Sequence, residues 1–231
     1  MTQQDIGAST KSEALENYLK AIYNLQAIGI EPSVQELSTR LGVSPPGVSK
    51  MLRHLASRKV VEYTPYRPVM LTPLGERVAL EVIRHHRLLE LYLAETLGFG
   101  WEQVHAEAER LEHHISEEFE DTIDRLLGYP TVDPHGDPIP TRDLSMPRIV
   151  TATLDMQDDG ASLILCRVTD EDPELLRYLA ERGLRPGARL LLVDREPFGG
   201  SFRVRIGERE ERVSPLAARN VFVEAQSEVV T

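Results

Sequence analysis

The chain has 231 residues, 41% of them hydrophobic, with a single cysteine and a net charge of −11. That length and apolar content allow a buried core in one large domain or two to three small ones, and exclude a disordered chain. The lone Cys166 excludes an intrachain disulfide framework and a cysteine-based zinc finger, and reads as a buried strand residue; no apolar stretch nears the roughly 20 residues needed to span a bilayer, and Met1–Thr10 lacks the charged and apolar regions of a signal peptide, so a cytoplasmic location is expected.

Thr10 with Glu13 three residues later resembles a capping box. Leu15, Tyr18, Leu19, Ile22 and Leu25 then repeat at helical spacing, predicting a helix to about Gln26 whose other face carries Glu13, Glu16, Asn17 and Lys20. After a break at Gly29–Pro32, Ser33 caps a short helix with Val34, Leu37 and Leu41 inward. A turn at Leu41-Gly42-Val43-Ser44 leads to a second helix opened by Ser44-Pro45, with Val48, Met51, Leu52 and Leu55 as its apolar stripe. This is the helix-turn-helix pattern. Strand-like Val60–Thr64 and Val69–Leu71, joined through Pro65–Pro68, predict a wing.

Thr72-Pro73 signals a further helix running to about Leu97 and stopped by Gly98 and Gly100, and the next pattern predicts one helix from about Glu102 to Leu127. Five prolines between Tyr129 and Pro147 predict a linker or extended arm outside the core. Beyond it, short strands are expected at Ser162–Val168, Ala188–Asp194, Ser201–Ile206 and Asn220–Glu224. One helix, capped by Asp172-Pro173 and ended by Gly183, interrupts them, a spacing that suggests a small β-barrel.

Charge is distributed unevenly. Ser33–Arg77 holds seven Lys/Arg against three Asp/Glu, net +4, whereas Val78–Met146 holds five against fifteen, net −10. A basic segment in an acidic protein is the electrostatic footprint of a DNA-contacting head. A recognition helix needs small or polar residues at the end that enters the major groove, and Ser44, Pro46, Gly47, Ser49 and Lys50 meet that demand. Gly47 allows close approach, Ser49 can hydrogen-bond, and Lys50, Arg53 and His54 lie toward phosphate reach. Arg67 at the wing tip suits a backbone or minor-groove contact. No Asn, Gln or Arg occupies the first exposed positions, which leaves room for shape readout. The alternative is a winged helix used for protein contacts.

In the predicted Glu102–Leu127 helix, His105, Glu109, Glu112 and His113 fall along one stripe, and His86 lies on the helix before it. Imidazole plus carboxylate without thiolate suits Mn(II) or Fe(II). The competing reading of the stripe is a solvated acidic face.

The segments Glu16-Asn17-Tyr18-Leu19-Lys20-Ala21-Ile22-Tyr23, Ser44–Met51, Leu71-Thr72-Pro73-Leu74-Gly75, His86-Arg87-Leu88-Leu89-Glu90 and Glu109-Arg110-Leu111-Glu112-His113-His114 occur in an order that resembles the diphtheria toxin repressor and manganese transport regulator family of metal-dependent repressors, over about Glu13–Leu127. The C-terminal region looks like the SH3-like (FeoA-like) domain that many members append. The resemblance implies a mainly α chain with a small β part. Residues 1–75 would form a winged helix-turn-helix domain, 76–128 a helical metal-binding and dimerisation domain, 129–147 a proline-rich linker and 148–231 an SH3-like β-barrel.

By position, the resemblance implies a primary metal site of Asn17, His86, Glu109, Glu112 and His113. In members with a separate ancillary site, the equivalent of His86 instead joins those of Glu90 and His105, completed from the SH3-like domain, for which Glu171, Asp172 and Glu174 are the candidates; Asp172 before Pro173 is equally a helix N-cap. Asn17 and Glu109 stand where iron-responding members place Met and Cys, which favours Mn(II), with Fe(II) the alternative and Zn(II) expected to bind in vitro. Lys20 stands where manganese-responding members often offer a Glu, so a primary site with a separate ancillary site fits better than a paired-metal site. The implied function is a non-enzymatic repressor of metal-uptake genes, acting as a homodimer on a palindromic double-stranded operator. A metallohydrolase, the rival of a different class, would want an open coordination position and a substrate pocket, and the sequence shows neither.

Overall fold

The computed structural model describes residues 13–169 and 172–226. These residues divide into two compact units, the first built from residues 13–85, 112–115 and 140–146, the second from 86–111, 116–139, 147–169 and 172–226. No described helix is long and apolar enough to cross a membrane.

The first unit begins with α1 (Glu13–Ala27), α2 (Val34–Leu41) and α3 (Pro45–Ser57). Thr10, the expected cap of α1, lies outside the described residues. Ser33 caps α2 as its sequence requires, its hydroxyl accepting from the Glu36 amide at 3.0 Å. Gly42 then stops α2 in the left-handed conformation at φ 63°, which glycine adopts without steric cost, and α3 opens three residues later. Leu15, Leu19, Ile22, Leu37, Val48, Leu52 and Leu55 close one core. Each fully buried aliphatic side chain contributes about 1.5–3 kcal/mol, so the apolar stripes fix how the three helices pack.

The wing is shorter than its sequence suggests. Only Val61–Glu62 (β1) and Met70–Leu71 (β2) pair, antiparallel. Pro65 and Pro68 cannot donate to a ladder, and the Val69 amide bonds to the Pro32 carbonyl (2.8 Å) instead of across the ribbon. The next helix, α4 (Pro73–Glu95), begins so close to the wing that a Cβ on Gly75 would run into the Val60 carbonyl oxygen.

In the second unit the single helix expected over Glu102–Leu127 is two helices, α5 (Val104–Leu111) and α6 (Glu117–Leu126). Ser116 opens α6 by accepting from the Phe119 amide (3.2 Å), and Glu117, Glu118 and Glu120 complement the positive end of the helix dipole. That start signal inside the helical pattern overrides its periodicity. The stripe argument changes accordingly: His105 and Glu109 share α5, whereas Glu112 and His113 lie past its end.

Strands β3 (Ser162–Val168), β4 (Arg189–Arg195), β5 (Phe202–Ile206), β6 (Arg209–Val213) and β7 (Val221–Ala225) form an antiparallel sheet in the order β6-β5-β4-β3-β7, with α7 (Pro173–Glu181) between β3 and β4 and a short α8 (Pro215–Ala218) before β7. Four of these strands match the sequence expectation closely. The fifth, β6, reads Arg-Glu-Glu-Arg-Val and lacks apolar alternation because it is an edge strand whose charges pair across the ladder, Glu210 with Arg205 at 2.6 Å. Leu163, Leu165, Leu176, Leu192 and Val204 fill the core, joined by Trp101 from the α4–α5 connection.

The proline-rich segment is a buried hairpin rather than an extended arm over residues 131–139. Asp133 Oδ1 accepts from the amides of His135 (2.8 Å) and Asp137 (3.0 Å), and the Ile139 amide bonds to the Thr131 carbonyl. Aspartate, proline and glycine here are turn chemistry. The hairpin docks on β3: the Val168 amide donates to the His135 carbonyl (2.9 Å), and a Cβ on Gly136 (φ 88°) would collide with the Cys166 carbonyl. Arg167 ties the two together, ion-paired to Asp137 at 3.1 Å and stacked over the Phe222 ring at 3.5 Å.

Candidate metal centre

Among the described residues, metal-ligating side chains gather within each unit. In the first unit α1 presents Glu16, Asn17 and Lys20 to the turn that carries Glu112 and His113. The His113 ring lies between two acceptors, with Nδ1 2.6 Å from Glu16 Oε2 and Nε2 2.8 Å from Asn17 Oδ1. Carboxylate and amide oxygens only accept, so with Asn17 oriented this way the ring donates from both nitrogens as an imidazolium. Burial works against that charge, but the hydrogen bond to Glu16 and the nearby Glu112 and Glu16 carboxylates raise the His113 pKa overall. Lys20 Nζ reaches both Glu112 oxygens, at 3.1 and 2.8 Å. His85 Nδ1 lies 3.1 Å from the Glu112 backbone carbonyl, a bond that holds the turn against α4.

The second cluster surrounds Glu90, which is 0% exposed. Its Oε1 lies 3.0 Å from His86 Nε2 and 3.2 Å from His105 Nδ1, and those two ring nitrogens are 3.1 Å apart. Its Oε2 faces the hairpin, 3.8 Å from His135 Nδ1. Glu90 Oε2 and Asp133 Oδ2 are both buried without a hydrogen bond. His135 Nε2 is 2.7 Å from the Trp101 carbonyl, which can only accept, so Nε2 carries a proton and Nδ1 is the nitrogen that faces Glu90. Burial pushes Glu90 up, yet the His86 charge and the imidazoles of His105, His135 and His86 against its oxygens hold it well below the usual carboxylate range. Burial and the charges of Glu90 and Asp137 raise Asp133 well above that range, against the pull of Arg87 and His135. Two enclosed carboxylates that repel each other, with orphaned oxygens beside an imidazole nitrogen, fit a divalent cation.

Of the residues singled out from sequence, Asn17, Glu112 and His113 meet in the first cluster, and His86, Glu90 and His105 in the second. Glu109 lies within 3.9 Å of His86 Nδ1 and 4.0 Å of His105 Nε2. Glu171 lies outside the described residues. Asp172 caps α7, accepting from the Glu174 and Leu175 amides at 2.9 and 3.3 Å, and Glu174 is exposed. Three participants escaped sequence reasoning. Glu16 was assigned to the polar face of α1 but is 5% exposed, and Asp133 and His135 were hidden in a stretch read as linker. Two carboxylates and a histidine inside Asp133-Pro134-His135-Gly136-Asp137 were the available signal.

On the head, Ser44, Pro46, Lys50 and Arg53 are exposed at or near the start of α3, with Gly47 and Ser49 partly so. Arg67 is exposed beside Tyr66, which projects fully from the wing tip at φ 66°.

A DNA-reading head combined with buried imidazole and carboxylate clusters defines a metal-dependent DNA-binding repressor. Residues 11–69 match the iron dependent repressor N-terminal DNA binding domain, 72–141 the iron dependent repressor metal binding and dimerisation domain, and 152–225 the FeoA domain. The chain is 30% identical over 224 residues to the iron-dependent repressor IdeR of Mycobacterium leprae, covering 92% of this chain and 97% of that one. Among solved structures it is similar to a manganese-dependent transcriptional repressor in complex with manganese (TM-score 0.85, 36% identity, 92% of this chain and 100% of that chain) and to ScaR with bound Zn2+ (TM-score 0.77, 30% identity, 92% and 99%). The chain belongs to the DtxR/IdeR family of metal-dependent repressors.

Proposed function

We propose that this repressor responds to Mn(II) and controls metal-uptake genes in the cytoplasm, as a homodimer on a palindromic operator. The observation that carries the reading is the donor set. Glu16, Asn17, Glu112 and His113 in one cluster, and His86, Glu90, His105, Asp133 and His135 in the other, offer oxygen and nitrogen and no sulfur, while Cys166 belongs to β3. Such a set suits Mn(II) among hard to borderline ions. The 36% identity to a manganese-dependent repressor supports the same choice. Fe(II) is the second reading, favoured by the iron-dependent repressors among the relatives, and Zn(II) would bind in vitro under either.

Asn17, Glu112 and His113 would hold the activating ion; Glu90, Asp133 and His135, with His86 and His105, would hold a second, Glu109 standing beside those last two. The ion supplies a concentrated positive charge that lets acidic donors converge. Glu16 would orient the His113 ring through Nδ1, leaving Nε2 for coordination once its proton is lost. Because Asn17 sits on α1, directly ahead of α2 and α3, binding there restrains the reading head. Coupling of about 1–3 kcal/mol between effector and DNA is typical, or roughly 5- to 150-fold in operator affinity, and it is reciprocal. Leu97, Phe99, Phe119, Leu126 and Tyr129 are exposed apolar side chains of the second unit suited to a subunit contact. Ser44, Pro46, Gly47, Ser49, Lys50, Arg53 and Arg67 would meet DNA.

The test is a duplex selected from a random palindromic library in the presence of Mn(II), then titrated with Mn(II), Fe(II) and Zn(II) at fixed protein. Tighter binding with Mn(II), lost in the Asn17→Ala and His113→Ala variants, is expected. Binding indifferent to chelator defeats the proposal, and activation at lower free Fe(II) than Mn(II) selects the iron reading.

A further inference from the structure

We propose that Lys20 is a tethered cation that competes with the metal for Glu112 and so sets how much metal the first cluster needs. The inference rests on reading that cluster as a metal site. Lys20 Nζ lies 2.8 and 3.1 Å from the two Glu112 carboxylate oxygens, so both are engaged by one ammonium. The Glu112 side chain is 0% exposed and that of Lys20 13%. A carboxylate so enclosed requires a positive partner, and its isolation is far costlier than the pair. Here the chain supplies that partner itself.

The pairing has a direction. Lys20 sits one turn beyond Glu16 and Asn17 on the same helix and reaches across to the turn that carries His113, whose Nε2 is 3.4 Å from Glu112 Oε1. A divalent ion at Glu112 would bring a second cation to a carboxylate whose two oxygens the ammonium already engages, so the ion and the ammonium repel each other there. A lysine is suited to being displaced, because its charge is a compact, strongly hydrated head on a flexible stem that can swing to solvent. The Lys20–Glu112 contact also clips α1 to the turn before any ion arrives. Lys20 therefore stabilises the metal-free state and raises the metal concentration at which the other state takes over.

The test uses the full chain and the metal equivalent that His113→Ala removes. Lys20→Met keeps the stem and deletes the charge, so the buried Glu112 carboxylate loses the ammonium that spans both its oxygens, a deficit that a divalent ion relieves. Mn(II) affinity of that equivalent is expected to rise at least about tenfold, while the thermal midpoint falls for metal-free protein and not for metal-loaded protein. Lys20→Arg retains the positive charge and should stay within about threefold of the parent. In the unsubstituted protein, the Lys20 side-chain ammonium resonance should shift when Zn(II) saturates the site.

Unchanged or weaker Mn(II) binding in Lys20→Met overturns the proposal. So does a gain in Lys20→Arg equal to that in Lys20→Met, or a Lys20 resonance that Zn(II) leaves in place; these two still decide if Lys20→Met does not fold. If His113→Ala removes no metal equivalent at all, the reading of the cluster as a metal site fails instead.

Discussion

The two clusters use the same residue types and solve opposite problems. Around His113 every acidic oxygen discussed has a cation or donor against it: Glu16 has the imidazole, and Glu112 has Lys20. Around Glu90 and Asp133, two buried oxygens have no hydrogen bond, and their nearest cationic side chains stand off, Arg87 at 3.7 Å from Asp133 and His135 at 3.8 Å from Glu90. The first is a cluster closed by its own charges, and the second is one left with unmet electrostatic demand. A closed cluster discriminates between metal-free and metal-bound states, as a sensor must, because the ion has to displace something. An open one would mainly gain stability from an ion, as a structural site does.

The largest effect should come from breaking the closed cluster. His113→Ala removes the group that joins Glu16 and Asn17 to the turn, and the full Mn(II) activation of operator binding, roughly 5- to 150-fold, should vanish in a fluorescence anisotropy titration. Glu90→Gln should retain most of that activation while lowering the Mn(II)-induced gain in thermal midpoint. Equal loss of activation in both variants would erase the distinction between sensor and structural site.

The open cluster can be closed artificially. Asp133→Asn keeps the Oδ1 acceptor for the His135 and Asp137 amides and removes repulsion with Glu90. Because the Asp133 pKa is raised in the folded protein, its contribution is favourable at low pH and is lost as pH rises from the usual carboxylate value through the raised one. Metal-free Asp133→Asn should therefore be more stable than the parent at pH 7.5, by about 1–3 kcal/mol, the usual cost of a buried polar group without a partner, and closer to it at pH 5. Urea melts at the two pH values check this. Mn(II) should stabilise the variant less than the parent.

Gly136→Ala attacks the scaffold instead of the ligands. The added Cβ meets the Cys166 carbonyl in a left-handed turn, so the hairpin must lift from β3. A loss of about 1–3 kcal/mol is expected, with the Mn(II)-induced thermal shift reduced and binding of DNA by the first unit retained.

The same contrast explains what could be read beforehand. The head was legible because Ser33, Gly42 and Ser44-Pro45 punctuate two short amphipathic helices whose stripes all face one core. Glu112 and His113 were legible from their spacing with His105 and Glu109, though on the premise of one continuous helix, whereas Asn17 was legible only through the family resemblance, since its meeting with them depends on a turn after α5 that the helical periodicity concealed. Asp133 and His135 were not legible, because proline density signals a chain without partners, whereas here the prolines brace a hairpin whose value lies in a docking surface far along the chain. The edge strand β6 was missed for the reverse reason: its pattern reports solvent and ion pairs, not burial.

The smallest expected effect separates the clusters by pH alone. His113 has a raised pKa in the folded protein, so in the metal-free state its contribution is fully present below about pH 6.5, the unfolded value, and is lost as pH rises through the folded value. The difference in urea midpoint between the parent and His113→Gln should therefore shrink above that pH. The Asp133 contribution begins to fade from a lower pH, near the ordinary carboxylate value, so Asp133→Asn should flatten the acidic side of the metal-free stability profile and His113→Gln the neutral side. Saturating Mn(II) should flatten both, because protons and the ion compete for the same atoms. A His113 proton that persists in the metal-loaded protein, seen as an unchanged neutral limb, would mean that the imidazole is no ligand and that the first cluster is closed for good.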